Sequence, residues 1–163
     1  MNIFVLDTDV VKAAQYHVDK HCVKMILEST QLLNNALIKH ATGYAPVYRE
    51  THRNHPASIW TAESRENFDW LTELALALCD EYTFRYGKVH KCQPIIQLLH
   101  TSKYREAIPS IGMTPFAKCM PDHYKVDNAV ESYRNYYRGD KAYIAKWTKR
   151  SEPEWWTNVS HQV

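Results

Sequence analysis

Apolar and polar positions recur with a helical period through Gln15 to Asn35, QYHVDKHCVKMILESTQLLNN. The stretch holds no Pro or Gly, and its Met, Leu, Ile, Glu and Lys favour helix. At about 100° per residue, His17, His21, Lys24, Glu28, Gln31 and Asn35 fall on one stripe roughly 80° wide. Val18, Met25, Leu32 and Ala36 flank it on one side, Val23 and Leu27 on the other, and Asp19, Lys20 and Thr30 form a second polar edge. A solvent face is one reading of this stripe. Its two His and two amides, in place of a Lys/Glu mixture, allow a second reading in which it lines a site. Such a stripe sets a base, an acid and fixed donors within a helical turn of one another, as proton transfer or anion capture needs.

The same patterning organises the rest of the chain. Asn2 to Leu6 is a short apolar run, a brief strand or an extended arm, and Asp7, Thr8 and Asp9 offer helix caps. Helix is predicted from about Val10 to Lys39, with its weak point near Asp19. Residues 41–55 form a loop punctuated by Gly43, Pro46 and Pro56, and carry Tyr44, Tyr48, Arg49, His52, Arg53 and His55. Pro56 suits the first turn of a second helix, which runs to about Tyr86 and stops at Gly87. Its Trp60, Leu71, Leu74, Leu78 and Tyr82 should be core, and Ser64 and Asn67 share that face, where they could meet the first stripe. A third helix is predicted over Pro94 to Leu99, then irregular chain over 101–127. A last helix, about Asn128 to Lys149, interleaves Arg134, Arg138, Lys141 and Lys146 with Tyr133, Tyr136, Tyr137, Tyr143 and Trp147. Beyond Trp156 the tail is expected to fray. The whole reads as all-α: one compact domain over 1–163, with two long packed helices, a short N-terminal arm and a basic, aromatic C-terminal helix.

Composition narrows the function classes. A formal net charge of +2 means that nucleic-acid binding would need a local patch. Four scattered Cys without a CxxC point to a reduced, cytoplasmic protein. No apolar run approaches the roughly 20 residues of a membrane span, and NIFVLD lacks the basic start and length of a signal peptide. The chain has no P-loop, GxGxxG or GxSxG, which argues against common ATPases, Rossmann oxidoreductases and serine hydrolases. No cofactor is implied. Eleven Tyr and five Trp suit a surface that stacks on flat ligands.

Several short motifs carry a resemblance: Gln15-Tyr16-His17 in the first helix, Asn54-His55-Pro56-Ala57 after the loop, Arg85-Tyr86-Gly87-Lys88 closing the second helix, and Pro153-Glu154-Trp155-Trp156 near the end. In these the chain resembles the pyrimidine-dimer DNA glycosylases of the endonuclease V type, over about half its length, and it also looks like proteins borne by phages. The resemblance implies a helical fold and action on DNA. It implies a free N-terminal amine that attacks the sugar carbon and forms a Schiff base, beside a catalytic Glu on the first helix. Two departures leave that chemistry open. Asn2 follows Met1, a side chain too large for ordinary methionine trimming, and the family's glutamate position reads His21-Cys22-Val23-Lys24, with Glu28 a turn later.

Three functions follow as expectations. The first is an enzyme on DNA handling a damaged or modified pyrimidine nucleotide, flipped out of the duplex. Its catalytic groups would be His17, His21, Lys24 and Glu28, with Lys24 on a phosphate or, if burial lowers its pKa, as an amine nucleophile. Nucleic-acid contacts would come from Tyr48, Arg49, Arg53, Asn54, His55, Ser64, Asn67, Arg85, Lys88, Arg134 and Arg138. The second is a metal-dependent nucleotide hydrolase using the i, i+4 pair His17 and His21, with Asp7, Asp9, Glu28 or His55 completing the shell. The third is a non-catalytic binder of nucleic acid or a nucleotide, such as a phage inhibitor of host defence. Substrate and oligomeric state stay open at this level.

Overall fold

The computed structural model describes residues 1–156 as an all-α domain. The fraying expected beyond Trp156 lies outside the described residues. In chain order the α-helices are α1 (Val10–Tyr16), α2 (Asp19–His40), α3 (Pro56–Glu63), α4 (Arg65–Tyr86), α5 (Gln93–His100) and α6 (Ala129–Asp140). Short 3-10 turns cover Lys103–Ala107, Asp122–Tyr124 and Ala142–Ile144. No described helix is long and apolar enough to cross a membrane.

Local chemistry sets the ends. Asp9 caps α1, its Oδ1 accepting from the Val11 and Lys12 amides at 2.9 and 3.1 Å. Pro56 opens α3, and the His55 ring nitrogen accepts from the Ala57 amide. Gly87 ends α4 in the left-handed region at φ +69°, where a side chain would be strained. Both expected long helices are divided. The first breaks at His17–Val18, close to the weak point expected near Asp19, and the second breaks at Ser64, whose Oγ caps α4 by accepting from the Asn67 amide at 3.0 Å. The last helix stops at Asp140, short of Lys149. Gly139 and Asp140 are poor helix formers, and the chain turns there through Lys141 N–H to Tyr137 O.

The core lies between α2 and α4, with α1 and α3 packed beside them. Ile26, Leu33 and Leu37 meet Phe68, Leu71, Leu74 and Leu78 there, all fully buried. Of the expected core residues, Trp60, Leu71, Leu74 and Leu78 are buried and Tyr82 is half-buried. The apolar start is an extended arm rather than a strand: Ile3, Phe4, Val5 and Leu6 are buried. The Phe4 ring stacks on His21 and contacts Tyr133, Tyr136 and Tyr137 of α6. Asn2 closes the arm by donating to Cys119 O at 2.9 Å and accepting from the Tyr133 hydroxyl at 3.1 Å. The arm is therefore wedged between α2 and α6, and this fixes where Met1 lies.

Candidate active site

Met1 brings its α-amino group to 3.2 Å from Glu28 Oε1. Lys24 Nζ lies 3.6 Å from Glu28 Oε2, an oxygen that is buried and has no hydrogen-bond partner. Around this pair is a polar hollow of about 140 Å³, lined by Met1, Asn2, Phe4, His21, Lys24, Met25, Glu28, Tyr136 and Lys141. One carboxylate thus faces three amines, so the hollow favours an anion.

His21 is held in one tautomer. The buried Tyr137 hydroxyl accepts from the Val18 amide at 3.3 Å and sits 2.8 Å from His21 Nδ1. A buried hydroxyl proton needs an acceptor, and His21 Nδ1 is the one within reach. The imidazole proton is then on Nε2, which has no partner among the described residues. Burial, followed by the charges of His17, Lys141 and Lys24, pulls the His21 pKa down to about 3. His21 is therefore a neutral donor at pH 7.

His17 is not in the hollow. Its ring is fully buried, Nδ1 lies 2.6 Å from Ala13 O, and Nε2 has no partner. Burial lowers its pKa to about 4, against the opposing pull of the Ala13 carbonyl. His17 thus rests its Nδ1 on a carbonyl and His21 its Nδ1 on a hydroxyl. Among the described residues no three His, Cys, Asp or Glu side chains gather where an ion could sit.

These two imidazoles set an acid limit on the fold. A histidine with a folded pKa below its unfolded value takes its proton mainly in the unfolded chain. The stability it supports is complete above about pH 6.5 and drains as pH falls toward 4. At about 1.4 kcal/mol per unit, His17 alone accounts for on the order of 3 kcal/mol. Thermal unfolding followed by circular dichroism should show the midpoint falling steadily from pH 7 to pH 4, with a smaller fall in a His17→Gln chain. A midpoint flat across that range would contradict the burial assigned to both rings.

The other expected contacts divide sharply. Ser64 and Asn67 do not meet the α2 stripe: Asn67 Nδ2 donates to Trp60 O and Thr114 Oγ1, and its Oδ1 accepts from the Thr114 amide. Asn67 fastens Thr114 to α4, and Ser64 caps that helix. Arg85 has no exposed side-chain surface, which removes it from any phosphate contact. Arg134 donates to Leu6 O and pairs with Asp7, while Arg138 donates to Trp155 O and to Asn135 Oδ1, so both arginines anchor the arm and the tail. Tyr48 is turned toward Cys92 Sγ at 3.5 Å, and burial pushes its hydroxyl up to about 12.

Arg49 and Lys88 are exposed. Arg53 and Asn54 line a separate open cleft of about 600 Å³ on the C-terminal half of α2, with Asn35, Lys39 and Glu50. The His55 pKa is lowered by burial first and then by the positive charges of the Met1 amine and His52, against the pull of Glu28. The Met1 amine, left open in the sequence because Asn2 follows it, had the family resemblance as its one signal there. No protein-family model, curated protein or solved structure matches this chain.

Proposed function

We propose that the chain is a glycosylase-like enzyme acting on nucleic acid, DNA above all, at a damaged or modified pyrimidine nucleotide. The observation that carries this is the Met1 amine set 3.2 Å from a buried glutamate in a hollow with excess positive charge. An α-amine is intrinsically about 2–3 units less basic than a lysine ε-amine, which favours it as a nucleophile. Lys24, expected as an alternative, has a side chain 71% exposed, so the burial that activates a lysine is missing.

The chemistry balances with these groups. Glu28 first takes a proton from the Met1 ammonium; the freed amine nitrogen bonds to sugar C1′ as the C1′–base bond breaks, and the base leaves with its electron pair and takes up the proton held by Glu28. Glu28 removes a proton from the adduct nitrogen and returns it to the ring oxygen as the sugar opens to an imine. The His21 Nε2–H can donate to a developing oxyanion. The hollow holds a sugar edge, not a base, so the base lies outside it.

Borohydride trapping on duplexes carrying an abasic site, a pyrimidine dimer or a modified pyrimidine tests the assignment. The expected product is a covalent adduct that peptide mass spectrometry places on Met1. A Gly-Ser pair placed before Met1 should abolish it, and Lys24→Met should spare it. Intact mass of the same protein reports whether the Met1 amine is free. No adduct from a free-amine preparation, or an adduct on Lys24, would overturn the reading. Binding without turnover would favour the non-catalytic alternative.

A further inference from the structure

Beside the hollow is a second basic surface that the amine chemistry does not use. Lys20 and Lys24 stand one turn apart on the exposed edge of α2. The segment after α6 lies against the same end of that helix. Lys146 O accepts from the Asp19 amide at 2.8 Å, and Thr148 donates to Asp19 through its amide at 2.9 Å and its hydroxyl at 2.5 Å. These bonds bring Lys141 and Lys146 onto one surface with Lys20 and Lys24. Lys141 and Lys24 reach the rim of the catalytic hollow. Lys20 and Lys146 border a shallower hollow of about 440 Å³, shared with Tyr86, Tyr143 and Ile144.

Tyr143 stands out there. At 81% it is the most exposed large apolar side chain among the described residues, and it makes no hydrogen bond or ring contact with them. The fold gains nothing visible from it. Lys20, Lys141 and Lys146 form no ion pair among the described residues, and Asp19 is already engaged by Arg85 and Thr148. An unengaged ring beside Lys20 and Lys146, with Lys141 over the Tyr136 ring and Lys24 against Glu28 further along, matches what a single strand offers: a base face to stack on and phosphates on either side. A lipid surface fits less well, because Ile144, the neighbouring apolar side chain, is half-buried.

We propose that this strip is the track for one nucleic-acid strand flanking the reacting nucleotide. Tyr143 stacks on a base, Lys20 and Lys146 neutralise the phosphates on either side, and Lys24 and Lys141 lead the backbone to Met1. That strand's continuity with the hollow rests on the function proposed above, but the track's binding is separately measurable.

Anisotropy of a labelled single-stranded oligothymidylate of about 12 nucleotides reads it directly. Tyr143→Ala should weaken binding about 5- to 100-fold. Lys20→Ala with Lys146→Ala should lower the salt slope of log K by about 1.4, near 0.7 for each single-strand phosphate that is no longer neutralised. Trapping of 2-deoxyribose 5-phosphate, which enters only the hollow, should be unchanged in Tyr143→Ala. If the wild-type chain does not bind the oligonucleotide, or binds it equally well in all variants, the track is wrong, and small-aldehyde trapping then decides the catalytic reading by itself. If the oligonucleotide binds through Tyr143 and nothing is trapped, the track stands and the amine chemistry falls.

Discussion

An Arg85→Met chain is expected to lose on the order of 3–5 kcal/mol of folding stability, the largest single effect in the described core. The break between α1 and α2 leaves the carbonyls at the end of α1 without helical partners. Arg85 reaches across from α4 to meet them, donating to Gln15 O at 3.0 Å and His17 O at 2.8 Å. It pairs with Asp19 at 3.0 Å and Glu81 at 2.8 Å, and the Trp147 indole covers Tyr16 O at 2.8 Å. Burial pushes both carboxyls up, but hydrogen bonds and the guanidinium charges win: Thr148 and Arg85 hold Asp19 below the usual range, and Arg150 and Arg85 do the same for Glu81. Replacing a buried ion network with well-packed apolar groups can be neutral, but removing its central cation strands two carbonyls and leaves Asp19 to Thr148 and Glu81 to Arg150. Arg85→Lys should not rescue it, since an ammonium lacks the planar fork that meets four acceptors. For a domain of this size the midpoint should fall on the order of 10 °C. A loss below about 1 kcal/mol in denaturant titration would mean that the α1–α2 junction is held by packing alone.

That network shows where reading from sequence stopped. Propensity and punctuation placed the helices: Asp9 as a cap, Pro56 as a start and Gly87 as a stop are local chemistry, and each occurs as expected. Periodicity also grouped His21, Lys24 and Glu28 on one face, and they line one hollow. It could not say what covers that face. The expected neighbour was the second helix with Ser64 and Asn67, but the α2–α4 seam is apolar and His21 meets Tyr137, 116 residues away. Arginine misled in the same way. In a sequence it reads as a phosphate-binding cation, yet Arg85, Arg134 and Arg138 all donate to main-chain carbonyls at breaks and ends. A carbonyl left over by a helix break has no signature in the residue string.

The amine came only from the family resemblance, and the residue pattern lacks it for a different reason. It is a main-chain group, so no side-chain pattern contains it, and its position depends on six residues of arm packing between α2 and α6. The same arm buries Ile3, Phe4, Val5 and Leu6, each contributing roughly 1.5–3 kcal/mol. Stability and the placement of the proposed nucleophile therefore come from the same contacts. Loosening the arm would cost both at once, whereas a change at Glu28 should separate them.

Glu28→Gln keeps the side chain's shape and removes its charge and its proton exchange. Turnover on an abasic or modified duplex is expected to fall about 10²- to 10⁴-fold, the usual range for a lost acid/base group. The loss should appear in kcat, with KM little changed, because strand binding is assigned to Lys20, Tyr143 and Lys146 and not to the carboxylate. Glu28→Asp, one methylene shorter, withdraws the carboxylate from the Met1 amine at 3.2 Å and should recover only part of the rate. Circular dichroism guards against a trivial cause, since Glu28 is buried and its pairing with Met1 helps to seat the arm. If a folded Gln chain traps substrate at the wild-type rate, then water carries the protons and Glu28 only anchors the N-terminus.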